Sequence, residues 1–260
     1  MMRVVKRSGE TEPLDEGKVK RAILRTGVSE EEANRILEKV KKEFYDGIST
    51  SEIYALVRRY LDRRQRARFS MKKAMTELGP EGHNFETLVG RVFECRGYEV
   101  LLRQRLKGNC VEHEVDLIVE KEGKKDMIEC KFHNSMGSMC RIQDALYTYA
   151  RFLDLRDAAG ISSVWLITNR KFSRDVIDYG VCNGVQLLGW NYPSGRGLER
   201  IIEHQRLYPV TVLQIKKRMK NQLLEEGFVV LRDLIDREEE VRTLFPREAD
   251  RLIVMAQEIL

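Results

Sequence analysis

The sequence has no apolar run long enough to cross a bilayer, and its opening residues, MMRVVKRSGE, carry no hydrophobic stretch of the signal-peptide kind. Membrane insertion and export are therefore not expected, and the reading is a cytoplasmic protein with no membrane partner. No Cys-x-x-Cys pair occurs. The five cysteines (Cys95, Cys110, Cys130, Cys140 and Cys182) are odd in number and scattered, which argues against a disulfide framework and for an intracellular setting. Internal repeats and low-complexity tracts are also missing. What remains is a chain of 260 residues, 33% charged and 42% hydrophobic, the balance of an ordinary globular protein and a length that suits two or three domains. Its net charge of +5 permits nucleic acid as a partner without demanding it.

One cysteine pattern has to be weighed. Cys110-x-x-His113 and Cys130-x-x-His133 repeat a spacing compatible with zinc. Both pairs sit in or beside expected strands, where residues three apart point to opposite faces, and neither has a turn glycine between its members. Buried cysteine and hydrogen-bonded histidine is the reading preferred.

The stretch Val111–His133 reads as a strand, a charged turn around Gly123, and a second strand. Strand side chains alternate faces, so Met127, Glu129 and Lys131 share one face while Ile128, Cys130 and Phe132 take the other. On the first strand Asp116 interrupts the apolar run Val115, Leu117, Ile118 and Val119, a costly place for a carboxylate without a task. Two carboxylates can hold Mg²⁺ or Mn²⁺ with waters and phosphate oxygens. An ammonium beside them can orient or deprotonate a water and neutralise charge growing on phosphate. The order Asp116, hairpin, Glu129-x-Lys131 resembles the D-(x)n-E-x-K signature of the PD-(D/E)xK nuclease superfamily. A hairpin bearing solvated charges would share these residues, so the flanks matter.

The N-terminal flank reads as a hairpin turning at Ser8-Gly9, followed by helical patterns. Val19, Ala22 and Ile23 mark the first helix, Ala33, Ile36, Leu37, Val40 and Phe44 the second, and Ile53, Leu56, Val57, Tyr60 and Leu61 the third. A fourth is expected near Gln65–Leu78. Ser29 with Glu32 and Ser49 with Glu52 read as capping boxes. The run Val4-Val5-Lys6-Arg7-Ser8-Gly9, then Glu12, Lys18-Val19 and Ala22-Ile23, resembles the ATP-cone, the nucleotide-sensing domain of ribonucleotide reductases and their repressor. The resemblance implies an adenine-nucleotide pocket formed by Lys6, Arg7, Glu12, Lys18 and Thr50. Lys6, Arg7 and Lys18 would converge on a triphosphate, with bidentate recognition from the arginine. Ser8 replaces the family's Asp, and Tyr54 stands where a small polar or acidic residue is common, which leaves ATP and dATP both open.

After the breaker cluster Leu78-Gly79-Pro80-Glu81-Gly82, the residues Phe85, Leu88, Val89, Val92 and Phe93 make an apolar helical stripe that stops at Gly97, with Glu86 at its edge. The order F-E-x-x-V, G-Y-x-V, D, E-x-K resembles the Mrr-type restriction endonucleases, which implies that Glu86 joins the metal cluster. Val115 takes the place of the superfamily's nominal proline. Past the hairpin, a long helix is expected over SMGSMCRIQDALYTYARFLDLRDAAG, with Ile142, Leu146, Tyr149, Ala150 and Leu153 inward and Gln143 near the site. The buried strand SVWLITN, a helix from Ser173 and the strand VQLLGW then argue for a central sheet covered by helices. Lys171 and Arg174 fall where loops of such a sheet meet ligand.

From about Leu207 the pattern is helical, with two helices around Glu226-Gly227-Phe228 and a last one in PREADRLIVMAQEIL. This segment resembles a degenerate helix-hairpin-helix, with Lys216, Lys217, Arg218 and Lys220 clustered and Glu238–Glu240 balancing them. A dimerisation bundle fits equally well. The expected chain is thus an α/β protein in three parts: an ATP-cone over 1–78, a nuclease core over 79–205 and a small all-α domain over 206–260. The expected activity is metal-dependent hydrolysis of DNA phosphodiesters by a homodimer modulated by adenine nucleotide. Asp116, Glu129, Glu86 and the Cys130 carbonyl would hold the cation, and Lys131 would position the water. The alternative is a non-catalytic nucleotide-sensing regulator that uses the same fold to bind DNA.

Overall fold

The computed structural model describes residues 2–6, 8–135 and 137–260. They form two compact units, Met1–Met71 with Gln257–Leu260, and Lys72–Ala256.

In the first unit, β1 (Arg3–Val5) pairs antiparallel with β2 (Thr11–Pro13), and Gly9 in the connection takes φ 86°, a conformation glycine adopts without strain. A third short strand, β3 (Ile48–Ser49), joins β1 in parallel. It is too brief to leave a periodic signal in the sequence. Helices α1 (Glu16–Leu24), α2 (Glu30–Lys41), α3 (Thr50–Arg59) and α4 (Arg63–Met75) follow the expected order. Phe44 falls beyond the end of α2 but still packs on the core, where Ile23, Ala33, Ile36, Val40, Ile48 and Val57 are buried together. The reciprocal capping box forms at Ser49 and Glu52. At Ser29 the hydroxyl accepts from the Glu32 N–H, and the return bond is not made among the described residues.

The second unit carries α5 (His83–Glu94) and a five-stranded mixed sheet. Strands β4 (Glu99–Lys107), β5 (Glu112–Lys121) and β6 (Lys124–Lys131) are antiparallel, and β8 (Ile161–Thr168) and β10 (Gln186–Leu188) extend β6 in parallel. The β5–β6 turn is two residues long, Glu122 and Gly123, at φ 53° and 72°, the primed geometry that matches strand twist. Helices cover both faces. The cross-strand pair Ile118 and Met127 lies in one core cluster with Ala145 and Leu155 of α6 (Ile142–Ala158). On the other face Gly90 of α5 lets the helix approach Val100, Leu102 and Leu117, and a Cβ there would come within 3.3–3.5 Å of them. Buried positions on both faces explain why these strands read as continuous apolar runs.

α6 differs from the expectation in length and rotation. It begins only at Ile142, because Met139–Cys140 form β7, paired in parallel with β9 (Lys171–Phe172). Its buried face is Ala145, Thr148, Arg151 and Leu155, while Leu146 and Leu153 are 46% and 42% exposed. The helix turns polar groups toward the sheet because charged strand residues wait there. After α7 (Arg174–Asn183) and α8 (Leu198–Gln205), a 3-10 turn at Val210–Val212 leads to α9 (Lys217–Glu225), α10 (Leu231–Asp236), α11 (Glu238–Leu244) and α12 (Ala249–Ile259). Four short α-helices thus stand where three were expected, since Glu238–Glu240 open a helix of their own.

Candidate active site

Asp116 and Glu129 come from the antiparallel strands β5 and β6, at the point where those strands separate. Their ladder runs from Lys121↔Lys124 to Leu117↔Ile128. Beyond it the Cys130 N–H is no longer met by a β5 carbonyl; it donates to Asp116 Oδ2 at 2.7 Å. The carboxylate thereby replaces a ladder bond, which satisfies a buried donor and fixes the side chain. Glu129 is buried at 4% exposure. Lys131, two residues on and on the same face, donates to Glu129 Oε1 at 3.0 Å. Glu86 arrives from the first turn of α5, which is seated on the end of β6 by Phe85 against Phe132, ring centres 5.7 Å apart. The structure therefore brings Glu86, Asp116, Glu129 and Lys131 to one place.

Two arginines complete the cluster, and sequence reasoning found neither. Arg151 of α6 is buried with its guanidinium donating to Glu129 Oε2. The exposed Tyr147 ring lies under both Arg151, at 5.3 Å, and Lys131, at 5.8 Å. The i, i+4 spacing of Tyr147 and Arg151 was the available signal, but an apolar-face search passes over it. Arg103 on β4 donates to Glu86 Oε2 at 3.3 Å. The β4–β5 ladder pairs Leu102 with Leu117 and Gln104 with Val115, and is interrupted at Arg103 and Asp116. There Arg103 takes φ 51°, and the Gln104 side-chain amide donates to the Leu102 carbonyl at 2.8 Å across the kink. A non-glycine residue in this left-handed region costs on the order of 1–2 kcal/mol, and nothing in the sequence announces it.

Crowding of carboxylates sets the electrostatics. Burial, and then the charge of Glu129, push the Asp116 carboxyl up to about 7. Burial also raises Glu86, and the Arg103 hydrogen bond offsets only part of that. For Lys131 burial alone lowers the pKa, but the charge and hydrogen bond of Glu129 outweigh it, and the ammonium is held above the ordinary lysine value. Burial, and then the charge of Asp116, push the Cys130 thiol well up.

These observations bear on a divalent cation. Among the described residues no three His, Cys, Asp or Glu side chains stand together as a metal cage. The groups present are instead hard oxygens, the carboxylates of Asp116 and Glu129, and the charge of Glu129 disfavours that of Asp116. A hard cation with several retained waters suits such a set. Arg151 already supplies part of the missing positive charge at Glu129.

The Cys-x-x-His pairs have a structural role at one end. His113 Nε2 lies 2.7 Å from Asp154 Oδ2, and Asp154 also accepts from the N–H groups of Cys110, at 2.8 Å, and Val111, at 3.3 Å. Cys110 is exposed rather than buried. Of the basic loop, Arg174 is turned onto Asp178, an i, i+4 partner on its own helix, while Arg170, which drew no attention, is buried and donates to the His133 carbonyl. Gln143 is exposed. Lys220 is drawn out of the basic cluster on α9 by Glu77 and the Thr211 carbonyl.

In the first unit Glu12, Lys18, Thr50 and Tyr54 line a cavity of about 190 Å³, walled by Val4, Leu14 and Phe69. Lys6 reaches the same group through Glu12, at 2.8 Å, and Lys18 lies 3.5 Å from the other Glu12 oxygen. Tyr54 stacks on Phe69 with ring centres 4.6 Å apart and donates to or accepts from Ser70 at 2.7 Å. Arg7 lies outside the described residues.

Comparison with known proteins agrees with this division. Residues 2–75 match the ATP cone domain, residues 79–191 a restriction endonuclease domain, and residues 208–260 the domain described as AF1548-like, C-terminal. An uncharacterised protein of Archaeoglobus fulgidus is 38% identical over 175 residues, which span 66% of this chain and 99% of that one. The crystal structure of AF1548, titled a protein of unknown function, superposes with a TM-score of 0.61 at 37% identity, covering 68% of this chain and 97% of its own. The chain belongs to the AF1548-like family. Within this AF1548-like chain, an N-terminal ATP-cone precedes a central domain of the PD-(D/E)xK-like, Mrr-type class and an all-α C-terminal domain.

Proposed function

We propose that this AF1548-like protein is a metal-dependent endonuclease that hydrolyses DNA phosphodiesters under the control of adenine nucleotide. The observation that carries the reading is the half-buried Asp116 and the buried Glu129 where β5 and β6 part, with the Lys131 ammonium on Glu129. Asp116, Glu129 and the Cys130 carbonyl would hold Mg²⁺ or Mn²⁺, with Glu86 assisting. Bound there, the cation supplies Lewis-acid neutralisation of charge on the phosphate. Lys131 stays protonated, so its part is to donate: it orients the attacking water and meets charge developing on the phosphoryl oxygens. Burial raises the Glu86 carboxyl above its ordinary value, and its Oε2 accepts from Arg103 at the same centre. Phosphodiester hydrolysis asks the protein mainly for positioning and charge stabilisation, and these groups offer both. In this reading residues 1–78 sense nucleotide, 79–205 cut, 206–260 support the strand, and the working form is a homodimer.

The test is incubation of purified protein with plasmid and oligonucleotide substrates, with and without Mg²⁺ or Mn²⁺. Asp116→Ala, Glu129→Ala and Lys131→Ala should each abolish cation-dependent cleavage and leave the melting curve cooperative. Glu86→Ala should do less harm, because water can replace an assisting ligand. Wild-type cleavage by any of the first three variants would sink the assignment.

One observation favours the second reading, a non-catalytic DNA-binding regulator. Arg151 already pairs with Glu129, so the charge a cation would bring is partly in place. Absence of cleavage with retained, salt-sensitive DNA binding would select that reading.

A further inference from the structure

Arg103 is held in a costly backbone conformation, and its guanidinium is the one at the mouth of the cluster. Arg151 is only 8% exposed at its side chain and committed to Glu129, whereas the Arg103 side chain is 40% exposed. The kink at Arg103 falls opposite Asp116, at the single interruption between two correctly registered stretches of β4 and β5. A strand position facing a half-buried carboxylate is where an ordinary extended residue would close the ladder. Here the ladder is given up, Gln104 spans the gap, and an arginine is aimed at Glu86 beside the carboxylate pair. Strain of this kind persists only where surrounding structure imposes it, and it gathers at ligand clamps.

We propose that Arg103 is the phosphate clamp of this site, its guanidinium taking a non-bridging oxygen of the phosphodiester brought to Asp116, Glu129 and Lys131. This rests on the endonuclease reading for its substrate class, a nucleic-acid backbone. The planar fork of arginine suits two oxygens of one phosphate, or one of phosphate and one of Glu86, a match that a lysine at this position would not give. Glu86 holds the fork in place until phosphate binds.

The experiment compares wild type, Arg103→Gln and Arg103→Gly, each alone and combined with Glu86→Gln. Glycine accepts φ 51° without strain, so the Gly variant keeps the kink while removing the side chain, and thermal melts verify folding. Binding of single- and double-stranded oligonucleotides is measured without metal across a salt series, and cleavage with Mg²⁺ in parallel. Loss of one charge-assisted phosphate contact should weaken binding about tenfold and reduce the salt slope by about one contact. The loss should persist in the Glu86→Gln background. If Glu86→Gln makes the Arg103 substitutions harmless, Arg103 serves only to neutralise Glu86 and the proposal is overturned. If wild type cuts and the Arg103 variants bind and cut as it does, the proposal falls and the endonuclease reading stands. If wild type binds but does not cut, the endonuclease reading fails and the binding series alone decides Arg103. Binding of neither strand form overturns both.

Discussion

At the scale of the residue, Arg151 is where stability and chemistry meet. It and Glu129 are 7% and 4% exposed, and the pair sits among two further carboxylates. Removing one partner of a buried pair leaves an uncompensated charge and costs about 3–5 kcal/mol. Arg151→Gln should therefore lower the unfolding free energy measured in urea by about that much, and Mg²⁺ should recover part of the loss by meeting Glu129 instead. An unchanged midpoint would show that Glu129 is satisfied without it. Asp154 gives a pH-dependent case. Its hydrogen bond from His113, with the N–H groups of Cys110 and Val111, holds its carboxyl down at about 2, below the ordinary carboxylate value near 3.9. A depressed carboxyl stabilises the fold above the unfolded value and loses that contribution as pH falls through the folded one. Melting temperature should accordingly drop between about pH 4 and pH 2 in wild type, and Asp154→Asn should lack that segment of the dependence. Parallel curves for the two would contradict the assignment.

At the scale of the element, local bonds decide where helices start. Asp233, buried at 6% exposure, accepts from the Val229 and Val230 N–H groups at 2.8 and 2.9 Å and so fixes the entry to α10. Asp233→Ala strands two buried donors, each loss costing roughly 1–3 kcal/mol. A fall in unfolding free energy of that order is expected from denaturant titration, without effect on nucleotide binding in the other unit. Much of the element level was legible in advance. Ser49 and Glu52 marked α3 through a reciprocal cap, and Asp116 with Glu129-x-Lys131 marked the two strands of the site. α6 was not legible to the same degree. Leu146, Tyr147 and Leu153 offer an apolar face as good as the buried one, and it is the pairing of Arg151 with Glu129 on β6 that marks the rotation adopted.

At the scale of the whole molecule, the proposed hydrolysis gives the ATP-cone no chemical part, since a phosphodiester is cut by water without consuming nucleotide. Its presence points to control, which by linkage requires nucleotide to bind two states with different affinity. Lys6 and Lys18 both pair with Glu12, an internal anion with which nucleotide phosphates would compete in this reading. ATP or dATP should change sedimentation behaviour or cleavage rate, and Lys6→Ala with Lys18→Ala should remove the response while sparing metal-dependent cleavage. Calorimetric binding with no change in assembly or rate would leave the cone as a passive tether.

The cone residues Glu12, Lys18 and Thr50 were implied by family resemblance; the sequence by itself determined the order of parts and the strand-turn-strand that carries Asp116, Glu129 and Lys131. Each rests on a short-range rule, the strand period of two, a turn glycine or a helix cap, that neighbouring residues are enough to express. Only the tertiary structure decided which cations answer the carboxylates. Arg103 and Arg151 come from β4 and α6, and they reach the site through a left-handed kink and a helix rotation. Both are imposed by charge and packing across the sheet, where no residue's immediate neighbours record the outcome.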